Sequence, residues 1–335
     1  MIQTDTLHRR IQDARRRFEG AGIEPAEAAV DADVLARHAL GGWERGQLLV
    51  RQHDACPAGF AGIFEALVRR RERREPTGYI IGHREFWNLD IEVGPGVLVP
   101  RPETELLVEE TLSRLSGRDE ARGEPPASAH GAPAARVRIA DVGTGSGCIA
   151  VALARWLPAS EVVGIDLSDE SLSVARRNAA RHEVADRVRF CKGSLLAGLA
   201  GPFDAVVSNP PYVPEPDIGG LQPEVRDHEP RQALAGGPDG LDVIRRLVPD
   251  AAAVLRPGGW LLFEFGFGQA DAVRAIIAAE PELELVHVRP DLAGIPRIAV
   301  ARRRDGAQNR ASRAERAGEP LESRIPNPEP RDVVL

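Results

Sequence analysis

From Arg136 onward the chain alternates strand-length apolar runs with helix-length segments, and this alternation restricts the fold more than any other feature. The strand candidates are 136–142, 161–166, 187–192, 203–208, 259–265, 283–288 and 297–302. Helical pattern fills most of the intervals between them. A strand that returns to its sheet through a helix runs parallel to its predecessor, and such a sheet carries helices on both faces. The expected class is therefore α/β, with a doubly wound, mostly parallel, Rossmann-like sheet. The last two runs leave no room for a full helix between them, so they should pair antiparallel at one edge.

Residues 1–75 read as helical. Ile11, Ala14 and Phe18 recur at helical spacing, Pro25 opens a second helix near its first turn, and Gly41-Gly42 closes it. A third helix is expected over 57–74, ending before Pro76. Its end, Arg69-Arg70-Arg71-Glu72-Arg73-Arg74, reads as a solvated terminus matched to the helix dipole, with a partner-binding patch as the alternative. Residues 76–101 switch to short extended runs (Tyr79-Ile80-Ile81, Glu85-Phe86-Trp87, Val97-Leu98-Val99) separated by glycine, asparagine and proline, and read as a hairpin joining two domains. Pro102 should start a helix through about Leu115. A catalytic domain is expected over 102–304. It contains a proline-rich flexible insertion at 116–135, and a disordered tail follows over 305–335.

A chain of 335 residues has room for two domains plus appendages, and 43% apolar residues are ample for a core. No run reaches the roughly 18 apolar residues of a transmembrane helix. The opening Met1-Ile2-Gln3-Thr4-Asp5 lacks the pattern of a signal peptide. Cys56, Cys148 and Cys191 have neither metal-ligand spacing nor the even count of a disulfide framework, so no metal site is expected. A cytoplasmic enzyme fits. The net charge of -7 argues against a chain that clamps nucleic acid as a whole.

The first strand of the sheet runs into Gly143-Thr144-Gly145-Ser146-Gly147, and an apolar helix over 148–157 follows. Glycines allow a sharp turn and close approach to a ligand, and the helix start adds unpaired N–H groups. The next strand ends at Asp166, about 20 residues beyond the loop, where a carboxylate can accept both hydroxyls of a ribose. The structural alternative for Asp166 is a helix cap, but Ser168 could fill that role. A dinucleotide site would want G-x-G-x-x-G, and the spacing here is G-x-G-x-G.

The fourth strand delivers Asn209-Pro210-Pro211-Tyr212 to the carboxyl edge of the sheet, where open α/β folds bind ligands. An amide or ring-amino nitrogen has its lone pair delocalised, so it must be held in line and allowed to pyramidalise before it attacks a methyl group. The Asn209 oxygen can take one of its N–H bonds and the Pro210 carbonyl the other. Consecutive prolines keep those carbonyls stiffly aimed. Tyr212 offers a flat face to a planar group. A proline-rich turn with Tyr212 as cover is the structural alternative for the motif.

With these motifs in order, the chain resembles the release-factor glutamine methyltransferases, the PrmC/HemK family, over about residues 5–303. Glu75-Pro76-x-x-Tyr79-Ile80-x-Gly82 is similar to the family's interdomain hairpin. Leu98-Val99-Pro100-Arg101-Pro102-Glu103-Thr104-Glu105 is similar to its signature before the catalytic domain. Asp141 to Gly147, Asn209 to Val213 and Arg289 to Arg297 are similar to its cofactor loop, substrate motif and terminal hairpin. The resemblance implies a class I methyltransferase fold with a small helical N-terminal domain that docks the release factor. It implies S-adenosyl-L-methionine as cofactor, bound by Gly143, Thr144, Gly145, Ser146, Gly147, Asp166 and Asn209. The substrate would be the glutamine of a Gly-Gly-Gln loop in class 1 peptide chain release factors, held by Asn209, Pro210, Pro211 and Tyr212, with Asn209, Pro210 and Tyr212 catalytic. The chain departs from the family at Gly78, where glutamine is commoner, and at Gly193-Ser194-Leu195, where an acidic or aromatic residue often stands near adenine. Ribosomal-protein glutamine methylation is a close alternative. Nucleic-acid adenine methylation uses a similar motif, but 213–240 is acidic and proline-rich, unlike a base-recognition region.

Overall fold

The structure is a computed structural model that describes residues 5–116 and 136–305. Apart from their first residues, the insertion and the tail expected from the sequence lie outside the described residues.

Five helices open the chain: α1 (Leu7–Gly20), α2 (Pro25–Ala39), α3 (Arg45–Arg51), α4 (Phe60–Glu72) and α5 (Thr77–Ile81). Thr6 caps α1 by accepting the Arg9 N–H, and Pro25 sits in the first turn of α2. Leu7, Phe18, Leu35, Leu48, Phe64 and Val68 form their common core. The structure departs from the expectation at several points. α3 was not read from the sequence. The helix expected from residue 57 starts only at Phe60, because Gly59 turns through a left-handed φ of 82°. Tyr79-Ile80-Ile81 is helical rather than extended, with the Pro76 carbonyl accepting from the Tyr79 and Ile80 N–H groups at 2.9 and 3.1 Å. Three successive apolar residues suit a buried strand or a helix covered on several sides. Here Ile80 packs into the helical core while Tyr79 packs into the core of the sheet.

The hairpin itself is β1 (His83–Phe86) and β2 (Leu89–Glu92), closed by Trp87 and Asn88 at φ 52° and 56°. Positive φ at both central residues matches the right-handed twist of the flanking strands. Val97-Leu98-Val99, expected as a third extended run, forms no strand, although Val97 and Val99 are buried in the sheet's core.

The arginine-rich end of α4 is solvated only in part: Arg69 and Arg73 are exposed, whereas Arg71 is buried. Arg69 pairs with Glu65, and Arg70 with Glu75. Arg71 is 1% exposed, with its Nε 2.6 Å from Asp31 and its Nη2 3.0 Å from Glu224. Arg74 Nε also donates to Glu224, at 2.9 Å. The reason lies far along the chain, since Glu224 belongs to the segment that follows the Asn209 motif.

After a single 3-10 turn at Pro102–Thr104, where the sequence had indicated the helix start, α6 (Glu105–Leu115) begins. The sheet domain then runs β3 (Val137–Val142), α7 (Cys148–Trp156), β4 (Ser160–Asp166), α8 (Asp169–Arg181), β5 (Val188–Lys192), β6 (Phe203–Ser208), α9 (Pro223–His228), α10 (Asp242–Val254), β7 (Leu255–Glu264), α11 (Ala270–Ala279), β8 (Leu283–Pro290) and β9 (Pro296–Arg303). The strand order is β5-β4-β3-β6-β7-β9-β8. β9 inserts antiparallel between β7 and β8, and the other pairings are parallel. Strand order reverses between β3 and β6. Val142 pairs with both Ile165 and Ser208, so Gly143, Asp166 and Asn209 leave the sheet side by side at its carboxyl edge. That reversal is where a doubly wound sheet opens a crevice for a ligand.

Candidate active site

The glycine loop owes its shape to backbone conformations that side chains resist. Gly143, Gly145 and Gly147 have φ of 71°, 55° and 79°, and a Cβ on Gly147 would lie 2.9 Å from that of Ala175. The Gly143 and Thr144 N–H groups both donate to the Ile165 carbonyl, at 2.8 and 2.9 Å. Thr144 Oγ1 donates to Asp141 Oδ2 at 2.6 Å, and the same oxygen takes the Ala150 N–H at 3.2 Å. Burial pushes the Asp141 carboxyl up to about 7. Ser146 is buried, and its carbonyl accepts from Asn178 Nδ2 at 2.8 Å.

Asp166 braces this loop. Its Oδ2 accepts the Gly145 N–H at 2.9 Å, and its Oδ1 accepts the Ser168 N–H at 2.9 Å. Ser168 Oγ caps α8 by accepting the Ser171 N–H at 3.2 Å. A carboxylate has about four lone-pair positions, so Asp166 keeps acceptor capacity for a ligand beside the loop. Gly143, Gly145, Asp166, Leu167 and Asn209 line a cavity of about 350 Å³. Gly193, Ser194 and Leu195, where the sequence departs from the resemblance, lie on its wall, and Ser194 Oγ accepts from Arg246 Nη2 at 3.2 Å.

Asn209 lines the same cavity. Its Nδ2 donates to Thr104 Oγ1 at 2.9 Å. Thr104 in turn donates to Glu264 Oε2 at 2.7 Å, and Tyr212 Oη donates to Glu264 Oε1 at 2.9 Å. Glu264 is 1% exposed, and burial raises its carboxyl pKa. Burial likewise raises the Tyr212 phenol, with the Glu264 charge adding to the effect. The strap after Asn209 is clamped from behind. Gln269 Nε2 donates to the Tyr212 carbonyl at 2.9 Å, and a Cβ on Gly236 would lie 2.7 Å from the Pro211 carbonyl oxygen.

A second cavity, of about 740 Å³, lies between α2 and the sheet domain, and Asn209, Pro210, Tyr212, Arg101, Val30 and Glu224 are on its walls. Arg101 Nη2 is held by both oxygens of the buried Glu229, at 2.8 and 2.7 Å. Asn209 and Pro210 line both cavities, so the two meet at this dipeptide. Among the described residues, neither the Asn209 side-chain oxygen nor the Pro210 carbonyl accepts a hydrogen bond. The arrangement can hold one ligand along the glycine loop and offer two acceptors to a group entering from the helical side. The sequence reading missed Thr104, Glu264 and Gln269 as parts of this site. Thr104 lay within a quoted motif, and Glu264 was signalled by a lone acid inside an apolar run.

The family model described as the PrmC N-terminal domain matches residues 11–82, and that of a methyltransferase domain matches residues 134–280. The chain is 40% identical over 305 residues to a protein of Moorella thermoacetica named release factor glutamine methyltransferase, covering 90% of this chain and 99% of that one. It is 50% identical over 269 residues to a protein of the same name from Geobacter sulfurreducens, covering 80% and 87%. The crystal structure of the hMettl16 catalytic domain in complex with the MAT2A 3'UTR hairpin 6 shares the fold, at a TM-score of 0.50 and 16% identity over 71% of this chain and 81% of that one. Among the described residues, no helix is long and apolar enough to cross a membrane.

Proposed function

Because the chain belongs to the release factor glutamine methyltransferase family, we propose that it methylates the side-chain amide nitrogen of the glutamine in the Gly-Gly-Gln loop of class 1 release factors. The methyl donor is S-adenosylmethionine. The donor's cationic sulfur makes its methyl group electrophilic, so this chain's residues have mainly to bind, orient and exclude water.

In this reading the loop over 143–147 and Asp166 hold the donor in the 350 Å³ cavity. The left-handed glycines, lacking side chains, let the backbone pass close to it, and Asp166 uses its spare lone pairs on the ribose. Asn209 and Pro210 accept the two N–H bonds of the glutamine amide, which enters through the larger cavity past Tyr212. Small glycines let the loop of the release factor pass, while the helices of residues 1–75 hold the rest of that protein. Residues 76–101 join them to the catalytic domain over 102–304. Release factors work in the cytoplasm, and we place the enzyme there, with no stable nucleic-acid binding.

One observation supports this reading most: two cavities meet at a dipeptide that presents two unused acceptors. Two N–H bonds on a planar nitrogen need two acceptors beside them. The test is a methyl-transfer assay in which labelled S-adenosylmethionine is offered with intact release factor, ribosomal protein or DNA. Label on the release factor alone is expected. Label on DNA adenine or on ribosomal protein, with none on release factor, would overturn the substrate assignment.

A further inference from the structure

The side-chain amide of Asn209 has an acceptor end and a donor end of nearly the same shape, so packing alone does not decide which faces the substrate. Only the oxygen suits an incoming N–H. With the nitrogen turned outward, donor would face donor and the glutamine amide would not be held.

We infer that Thr104 and Glu264 are positioning residues that fix the orientation of the Asn209 amide, so that its oxygen faces the substrate nitrogen. This rests on the proposed role of Asn209 as acceptor. The polarity of the relay starts at Glu264, whose two carboxyl oxygens each accept from a hydroxyl, Oε2 from Thr104 and Oε1 from Tyr212. The Thr104 hydroxyl has one proton and gives it to Glu264 Oε2 at 2.7 Å. Only lone pairs of Thr104 then remain for Asn209, and they call for its Nδ2, which lies 2.9 Å away. Tyr212 commits its own proton to the other oxygen of Glu264 at 2.9 Å, so it offers no competing donor. Reversing Asn209 would set its oxygen against the lone pairs of Thr104 in a buried place, where an unmade hydrogen bond is costly. Thr104 is 2% exposed and Glu264 1%. The two hydroxyl donors offset part of the cost of burying that carboxylate. The relay joins three distant parts of the chain, namely the turn before α6, the end of β6 and the end of β7.

Kinetics of methyl transfer to intact release factor at saturating S-adenosylmethionine tests the inference. Thr104→Val keeps the shape and removes the hydroxyl. It should lower kcat roughly 10–100-fold, as removing the outer partner that orients a ligating side chain does at metal sites. KM for release factor and affinity for S-adenosylmethionine should change little. Thr104→Ser restores the hydroxyl and should restore most of kcat. Adding Thr104→Val to Asn209→Ala should cost nothing further, because the residue it orients is gone. If Thr104→Val fails to fold, Glu264→Gln takes its place, since it brings an N–H against one of the two hydroxyls and should also lower kcat. A wild-type kcat in Thr104→Val overturns the inference, as does a further loss in the double variant. If Asn209→Ala alone keeps the wild-type rate, the acceptor role fails and takes this inference with it.

Discussion

The two ends of the proposed active site, one for the cofactor and one for the target, are built differently. The cofactor end is short-range: the glycine loop spans five residues, and its brace, Asp166, lies 21 positions from the Gly145 N–H it accepts. Its contacts are mostly made by backbone N–H groups, those of the left-handed Gly143, Gly145 and Gly147 among them. The target end is long-range and made of side chains. Asn209 meets Thr104 across 105 positions, and Thr104 meets Glu264 across 160. A backbone cradle is controlled by which residues can adopt its φ angles, whereas a side-chain relay is controlled by which atom holds each proton. The two ends should therefore fail separately, with cofactor affinity lost at one and transfer rate at the other.

The largest expected effect is at the junction. Asn209→Ala should lower methyl transfer roughly a hundredfold or more, as when one preorganised polar contact is removed from a transition state. Calorimetry should find S-adenosylmethionine affinity close to wild type, and a comparable loss of affinity would break the comparison. Next comes Asp166→Ala, which should weaken S-adenosylmethionine binding by about 1.5–3 kcal/mol through lost charge-assisted hydrogen bonds. Unchanged affinity with a lowered melting temperature would mean that Asp166 serves only the Gly145 and Ser168 N–H groups.

Glu224→Ala probes the far wall of the target cavity. It takes one carboxylate from the buried Arg71, which keeps Asp31 and Glu27, and the carboxylate partner of Arg74. Chemical denaturation should show a loss of about 1–3 kcal/mol, with a raised KM for release factor and unchanged cofactor affinity. The smallest effect sharpens the comparison at close range. Ser168→Ala removes the cap of α8 and should cost about 1 kcal/mol of stability. Because the Ser168 N–H remains, Asp166 stays braced and S-adenosylmethionine affinity should be unchanged. A calorimetric loss of affinity would show that cap and ligand site are one device.

The same contrast explains what the sequence made legible. Period and punctuation identified the sheet, the loop over 143–147 and the strand end at Asp166, because those features depend on near neighbours. Asn209-Pro210-Pro211-Tyr212 was legible as a strand end with stiff carbonyls. The partner of Asn209 was not, because nothing near residue 209 or residue 104 marks that they meet. Arg71 reads locally as one more arginine in a basic helix end, and only Glu224, 153 positions away, makes it a buried ion-pair residue. Tyr79-Ile80-Ile81 is helical because two cores claim its successive residues, which local pattern does not register.

The separation of the two ends is tested most directly by measuring methyl transfer to release factor as S-adenosylmethionine is raised, in Asp166→Ala and Asn209→Ala side by side. With separate ends, the Asp166 variant climbs back toward the wild-type rate as the donor saturates, while the Asn209 variant reaches a plateau roughly a hundredfold or more below it. An Asn209 variant rescued by added donor, beside an Asp166 variant that is not, would contradict that separation.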